Sequence, residues 1–473
     1  MTWETVIGLE VHVQLLTRSK MFCGCANRFG APPNTLVCPV CLGLPGALPV
    51  PNEHAIRLAT RAALALGCTV HRTSVFARKN YFYPDLPKGY QISQFDRPLA
   101  TGGSLVIESP ERGRLTIGIT RLHVEEDAGK SLHDRFPGRT AVDLNRAGAP
   151  LVEIVSEPDM RGPTEARAYL TTLKQVLLYC EISDCNMEEG SLRVDANVSV
   201  RKAGETRLGT KTEVKNMNSF ANVERALTVE RDRQVALLEA GGRVEQVTML
   251  FNAASGEVRP MRSKEESHDY RYFPDPDLPP LVLARLWVEE QHAALPELPD
   301  AKRDRFMTIH GLWPYDAGVL AAERPIADYF EAAVEEGIEP KTASNWVIND
   351  AMRGYNESGT FAVTPDRLAS LVVLVKDGTV SNQAAKRLFA ELAGTAESPR
   401  VLADRLGLVQ VGDPDALGGW VDEVLAANPK EVERYRGGEV KLIGFFVGQV
   451  MKKSQGKADP KKIQPVLQEK LSG

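Results

Sequence analysis

Four cysteines fall within nineteen positions, as Cys23-x-Cys25 and, twelve residues on, Cys38-x-x-Cys41. Two short turns that each present two sulfurs are what a closed tetrahedral Zn²⁺ site requires, with Zn–S distances of about 2.3 Å. Four protein ligands leave no open coordination position, so such an ion is structural, and residues 23–41 read as a zinc knuckle. The other reading is four unligated buried cysteines, since free cysteine is a common core residue. Cys68, Cys180 and Cys185 have no partner at useful spacing and read as core residues. An odd number of cysteines clustered in this way suits a metal site in a reducing compartment better than a disulfide framework.

The segment GLEVHVQL (8–15) alternates apolar with polar residues, the period of a strand with one buried face. On such a strand Glu10 and His12 share one side, about 6.6 Å apart. They lie opposite Ile7, Leu9, Val11, Val13 and Leu15. A carboxylate and an imidazole then face one space, although a solvated strand face carries such a pair too. Further polar faces add to it. Arg193, Asp195, Asn197, Ser199 and Arg201 alternate on one strand, Lys211, Glu213 and Lys215 follow on the next, and Glu125, Glu126 and Asp127 close a third. Glu153 and Glu157 flank the otherwise apolar LVEIVSEPD. So many carboxylates interleaved with Lys and Arg would repel one another unless a divalent cation and phosphates sat among them. A broad, exposed, salt-bridged sheet face is the alternative.

In ARKNYFYPDLPKGYQ (77–91), Arg78, Lys79 and Lys88 stand among Tyr81, Phe82, Tyr83 and Tyr90, and Pro84 and Pro87 prevent regular structure. Interleaved aromatics and cations can hold a phosphate or a stacked base; a packed loop with solvent lysines has the same composition. No Walker A sequence occurs, no G-x-G-x-x-G follows a strand, and G-x-S-x-G and H-E-x-x-H are absent. Any ATP chemistry here therefore needs a cradle of another kind.

The elements that must position these residues fall into two stretches. Up to about residue 290 the pattern is strands with a few helices between them, an α+β arrangement with a mostly antiparallel sheet. Leu192, Val194, Ala196, Val198 and Val200 repeat the period-2 signature, and helices are predicted over 164–181 and 220–240, the second stopped by Gly241-Gly242. Proline-rich text around 273–280, then Pro296 and Pro299, places a boundary near 295. From 295 to 405 the pattern is helical (326–336, 342–355, 367–376, 383–392). A further helical segment over 406–473 has candidate helices at 417–427, 429–436, 439–453 and 459–471. From Met451 onward six lysines face only Asp459 and Glu469, so this tail is locally basic.

At 473 residues the chain is long enough for about three domains. Its 43% apolar and 25% charged residues exclude collagen-like, disordered and disulfide-scaffold classes. A net charge of −5 is too balanced for bulk attraction to nucleic acid or membrane, so nucleic-acid contact must be local. No apolar run approaches a membrane span, and Glu4 and Glu10 stand where a secretory signal would carry basic residues and then an apolar stretch. A soluble, cytoplasmic protein is expected.

GLEVHVQL, VCPVCLGLPGALPVPN, RKNYFYPDLPKGYQISQ, LHVEEDAGK, DLNRAGAPLVEIVSEPD, EGSLRVDANVSV, TKTEVKNMNSF and ESHDYRYFPDPDLPPL together closely resemble the B-subunit family of tRNA-dependent amidotransferases. The last 45 or so residues resemble that family's tail domain, which also occurs as a free-standing protein. The resemblance implies a cradle-shaped N-terminal domain (1–294) that uses ATP to phosphorylate the side-chain carboxylate of Glu-tRNA(Gln) and/or Asp-tRNA(Asn). Ammonia then displaces the phosphate. It also implies a heterotrimer, with a glutaminase A subunit that supplies ammonia through a tunnel and a small C subunit. Carried over by motif, Glu10, His12 and Glu125 would bind Mg²⁺, with Glu157 as an extension of that set. Lys79, Asp195, Arg201, Lys211 and Lys215, with Glu213 among them, would face the nucleotide or acyl phosphate. Lys88 and Tyr83 would border the ammonia exit, Cys23, Cys25, Cys38 and Cys41 would hold a structural Zn²⁺, and the tail would bind tRNA. The chain departs from the family text at Asn382-Gln383 and within NWVINDAMRGYN, both away from the cradle. A competing reading is a non-catalytic, zinc-containing module that only presents aminoacyl-tRNA to a partner enzyme.

Overall fold

The computed structural model describes residues 2–261, 270–410, 413–454 and 456–472. Residues 266–269, which open the ESHDYRYFPDPDLPPL motif, lie outside the described residues. The chain forms two compact units, Met1–Ala301 and Lys302–Gly473.

In the first unit the alternating segments become strands β1 (Trp3–Gln14), β2 (Phe76–Asn80), β3 (Tyr90–Gln94), β4 (Gly113–Glu126), β5 (Pro150–Ser156), β6 (Leu192–Lys202), β7 (Thr212–Lys215), β8 (Thr248–Asn252) and β9 (Glu257–Pro260). Seven of these run side by side in the order β9-β8-β7-β6-β1-β5-β4, within a ten-stranded sheet. The pairings are antiparallel except β7 with β8. Helices α1 (Glu53–Ala65), α2 (Pro163–Tyr179) and α3 (Phe220–Glu239) supply apolar faces that cover one side of this sheet.

Period-2 alternation decides which face goes where. Ile7, Leu9, Val11 and Val13 of β1 are buried with Val194, Ala196 and Val198 of β6, Val152 and Ile154 of β5, and Leu122 and Val124 of β4. Tyr169, Leu170, Leu173 and Leu177 of α2 and Val223, Ala226 and Leu227 of α3 join the same core. Each valine, leucine and isoleucine among them contributes on the order of 1.5–3 kcal/mol on leaving water. The opposite face of the same strands therefore carries the polar set.

The boundary expected near 295 falls a few residues later, because Trp287, Val288, Leu295 and Leu298 still pack on the first unit's core. The second unit is helical, and among its described residues the buried apolar side chains form separate clusters. One of these, with Leu417, Val421, Phe446, Val450, Ile463 and Leu467, belongs to the tail alone. The helix expected over 342–355 is interrupted: Pro340–Trp346 and Met352–Ser358 are joined by a π-helical turn, Val347–Ala351, a widening of the kind often found at functional positions. No described helix is long and apolar enough to cross a membrane.

The first turn of α2 is pinned through Glu165. Its carboxylate accepts from Arg112 Nε and Nη2 at 2.7 and 2.6 Å, from Ser109 Oγ at 3.0 Å and from the Arg161 backbone N–H at 2.7 Å. Burial alone would raise this carboxyl, but Arg112, the Arg161 N–H and Ser109 hold it below its ordinary 4.5. Removing the charge leaves a partly exposed guanidinium without its partner, so Glu165→Gln should cost about 2 kcal/mol near neutral pH. A depressed carboxyl stabilises above its unfolded pKa and loses that contribution as pH falls through the folded value. Urea unfolding of the two chains should thus converge between about pH 5 and pH 3; a pH-independent difference would assign the loss to packing.

Candidate active site

The register of the sheet builds one row of polar side chains. His12 of β1 stands opposite Arg193 of β6 on one side and Glu153 of β5 on the other, and Glu153 stands opposite His123 of β4. Directly opposed residues bring their Cβ atoms to about 5 Å, so four charged groups meet across four strands. Glu125 joins them two residues along β4. His12 Nε2 lies 3.4 Å from Glu153 Oε2 and 3.7 Å from Glu125 Oε1. His123 Nε2 lies 3.3 Å from Glu153 Oε2 and 3.7 Å from Glu125 Oε2. His12 keeps 19% of its side-chain surface exposed while Glu125 keeps 2%, so the cluster opens to solvent through His12.

His12, Glu125 and Glu153 each offer one ligand atom, all within 4.8 Å of one another. One imidazole nitrogen and two carboxylates are a donor set suited to a divalent cation. Burial lowers the His123 imidazole, but the charge of Glu153 and the hydrogen bonds to Glu125 and Glu153 outweigh it and carry it up to about 9. His12 is likewise raised against burial by Glu153, Glu125 and Asp195. Glu153 and Glu125 would be raised by burial, yet the two imidazoles bring both below the ordinary carboxylate value, Glu153 well below.

Glu10 behaves differently. Burial, then Glu153, Glu213 and Asp195, push its carboxyl up, and the Asn197 amide opposes them with a hydrogen bond of 2.9 Å. Asp195, opposite Glu10 on β6, accepts from Lys215 Nζ at 2.7 Å, and Lys215 also meets Glu213 at 3.1 Å. The hairpin β2–β3 approaches the same face, with Ser93 Oγ donating to Glu125 Oε2 at 3.1 Å. Lys79 on this hairpin lies 4.7 Å from the centroid of the Tyr270 ring. Burial lowers its ammonium, but Glu125, Tyr272, Tyr270 and Glu153 leave it raised overall. Lys88 pairs with Glu126, which also accepts from the Ile92 N–H at 3.0 Å. Asp127 is matched by Arg193 at 2.9 Å and Arg146 at 3.4 Å. Tyr83, in the same loop as Lys88, is 54% exposed and packs edge-on against Tyr81.

Three expected residues stand apart. Glu157 accepts from Thr120 Oγ1 at 2.7 Å, four residues beyond Glu153 on the same chain segment, and it is Glu153 that lies beside His12 and Glu125. Arg201 pairs with Glu4 at 2.5 Å. It lies eight residues along β6 from Arg193, or roughly 26 Å at strand rise, which separates it from the row. Lys211 precedes β7 and is exposed. His123 was missed, although its spacing to Glu125 repeats the Glu10 and His12 pattern and would have indicated a shared face.

Cys23, Cys25, Cys38 and Cys41 also converge, with sulfurs within 4.8 Å of one another. Cys38 Sγ and Cys41 Sγ are 3.9 Å apart, close to the ~3.8 Å edge of a tetrahedron with 2.3 Å Zn–S bonds and far from a disulfide. The hydrogen bond from Cys23 lowers the Cys41 thiol against burial, with help from the Cys38 backbone and Lys20, while that same bond raises Cys23 and burial raises Cys25. All seven cysteines are free.

Residues 5–289 match the family described as GatB/GatE catalytic domain, and residues 328–471 match the GatB domain. The B subunit of the aspartyl/glutamyl-tRNA(Asn/Gln) amidotransferase of Alkalilimnicola ehrlichii is 54% identical over 100% of both chains. The B subunits of Geotalea uraniireducens and Moorella thermoacetica, bearing the same name, are each 54% identical over 100% of both chains. With matches that run the full length and include every strand of the polar row, this chain belongs to the B-subunit family of the tRNA-dependent amidotransferases.

Proposed function

We propose that this chain activates the side-chain carboxylate of Glu-tRNA(Gln) and/or Asp-tRNA(Asn) with ATP and passes the acyl phosphate to ammonia. It would act in a heterotrimer with a glutaminase A subunit and a small C subunit. The observation that carries the reading is the convergence of His12, Glu125 and Glu153 from three strands, with Glu10 and the Lys79 ammonium near enough to interact with their charges. A carboxylate is a poor acyl donor because oxide is a poor leaving group, whereas phosphate leaves readily. Mg²⁺ held by His12, Glu125 and Glu153 would neutralise charge on the transferring phosphoryl group. Lys79, a cation between Glu125, Glu153 and the Tyr270 ring, is placed to meet a developing phosphate or acyl oxygen. Lys215 fixes Asp195 beside Glu10, and His123 holds Glu153 and Glu125 in place without facing solvent. Lys88, paired with Glu126, and Tyr83 of the same loop would border the ammonia exit.

The reading as a pure tRNA-presenting module is less supported. A surface made to hold a polyanion gains nothing from Glu10, Glu125, Glu153 and Asp195 gathered at one place, because each weakens phosphate contact. The residues that suit tRNA lie in the tail (406–473), where Lys452, Lys457 and Lys461 are exposed with no ion-pair partner among the described residues.

In the reconstituted complex, ATP hydrolysis should require both aminoacyl-tRNA and Mg²⁺. His12→Ala and Glu153→Gln should each lower amidation by about 100-fold or more, on the scale of losing a metal ligand or its support. Glu157→Gln should stay within about threefold of the parent; an equal loss in that variant would return Glu157 to the metal set. Counting amidated product from radiolabelled Asp-tRNA and Glu-tRNA measures all three and assigns the substrate.

Deleting residues 406–473 should weaken tRNA binding and flatten the plot of log K against log salt by about one unit for each phosphate no longer engaged. Unchanged affinity would give the tail another task.

The four-cysteine centre is read as a structural Zn²⁺ site. Metal analysis of Cys38→Ser should show about one equivalent of zinc fewer than the parent chain, and retention would place the zinc elsewhere.

A further inference from the structure

Lys20 is fully buried, an uncommon fate for a lysine without a carboxylate partner. Among the described residues it forms no ion pair with any acid. Its ammonium donates instead to Leu36 O at 2.7 Å, to Leu144 O at 3.5 Å and to Cys41 Sγ at 3.6 Å. Three donors thus meet three acceptors, and the one acceptor able to carry full charge is a sulfur of the four-cysteine centre.

Four thiolates around Zn²⁺ carry a net charge of −2, and Cys41, the buried one of the four, is where that charge is costliest to leave without a counter-ion. An ammonium fixed beside one sulfur offsets half of it. The same ammonium spans two pieces of chain. Leu36 lies inside the knuckle, whereas Leu144 leads into the turn that ends against the acidic segment, with Gly148 N–H donating to Asp127 O at 2.9 Å and Asp127 N–H to Ala149 O at 2.8 Å.

Two glycines in left-handed backbone conformations sit where these pieces meet. Gly148 has φ +83°, and a Cβ there would lie 3.5 Å from both Cys41 Cβ and Lys20 Cδ and 3.8 Å from Glu126 Oε2. Gly43, with φ +65°, presses its backbone on the chain at Lys88: a Cβ would fall 2.5 Å from Lys88 Cγ and 2.9 Å from Lys88 Cα. Lys88 in turn pairs with Glu126. The knuckle therefore touches the catalytic face through Gly43 and Lys88, and through Lys20, residues 144–149 and Asp127.

We propose that Lys20 is the internal counter-charge of the four-cysteine metal centre and the positioning residue that ties the occupied centre to residues 144–149 and the acidic end of β4. The inference rests on the zinc reading above, and the experiment separates the two. Zinc content is measured on the full chain, and zinc affinity by competition with a chromophoric chelator, for the parent and for Lys20→Met, which keeps length and removes charge. The parent should hold about one zinc, and Lys20→Met should bind it roughly 10- to 100-fold more weakly, the usual loss for a group supporting a metal ligand. A parent chain without zinc would end the zinc reading and this one with it; equal affinity in both chains would overturn the role of Lys20 alone. Hydrogen exchange supplies a readout that weak metal binding by itself would not move. With zinc saturating, Lys20→Met should exchange faster over 144–149 than the parent, and matching rates would refute the link. Should Lys20→Met not fold, chelation of the parent carries the test: exchange should rise over 144–149 and 88–92, and unchanged exchange there would overturn the proposal.

Discussion

Charge compensation in a water-poor space is the constraint on which this molecule depends. Glu125, Glu126, Asp127 and Glu153 are all buried at one end of the sheet, where an isolated carboxylate would be costly. Each is matched from a different strand or loop: Glu125 and Glu153 by two imidazoles, Glu126 by Lys88, Asp127 by Arg193 and Arg146. Glu10 is the exception. Its hydrogen-bond donor is the neutral Asn197, its neighbours are acids, and its carboxyl is pushed up accordingly. The cluster is balanced except at Glu10, and on the proposed function a cation reaching it from the solvent side of His12 would complete it.

Strand period made half of this legible. Two-residue spacing alone puts Glu10 with His12, Arg193 with Asp195 and Asn197, and Glu213 with Lys215 on the polar side, and the apolar residues between them on the core side. Helices α2 and α3 were equally visible, since their apolar stripes are long and one is closed by paired glycines. The partner of each polar residue was not legible, because pairing depends on register between separate segments, more than a hundred positions apart for His12 and Glu153. His12 lies opposite Glu153 rather than Glu157 because of where β1 and β5 begin to pair, and a two-residue slip would keep every apolar side chain in the core while changing the site. Arg201 illustrates the same limit: it is on the expected face of β6 but far along it, a distance that composition does not encode.

The knuckle obeys the rule that governs the cluster, with sulfur in place of oxygen. Its four sulfurs converge to metal-binding distances, and the cation at its back is a lysine with no exposed surface, as Arg193 is the cation behind Asp127. The spacing of the cysteines announced the centre, but Lys20 carries no motif, and its two carbonyl acceptors and one sulfur come from two loops that meet only in the fold. Where buried anions gather in this fold, a cation arrives from a non-adjacent segment, so each anionic centre also fastens loops that are distant in sequence.

Such clusters are poor sources of stability. Replacing a buried ionic group by well-packed apolar residues is often neutral or stabilising, whereas deleting one partner is strongly destabilising. The first unit has apolar area in reserve, since the far face of β1, β4, β5 and β6 packs against two long helices, and nothing in its folding calls for four acids and two imidazoles on the near face. Strands of alternating period divide the work: one face supplies the free energy that holds the sheet, and the other keeps a concentration of charge that the fold does not need for its stability. On the proposed function, acids held at interatomic distances set by a rigid sheet would meet a phosphoryl group and its cation already in place, which is the condition under which electrostatic stabilisation needs least reorganisation during reaction.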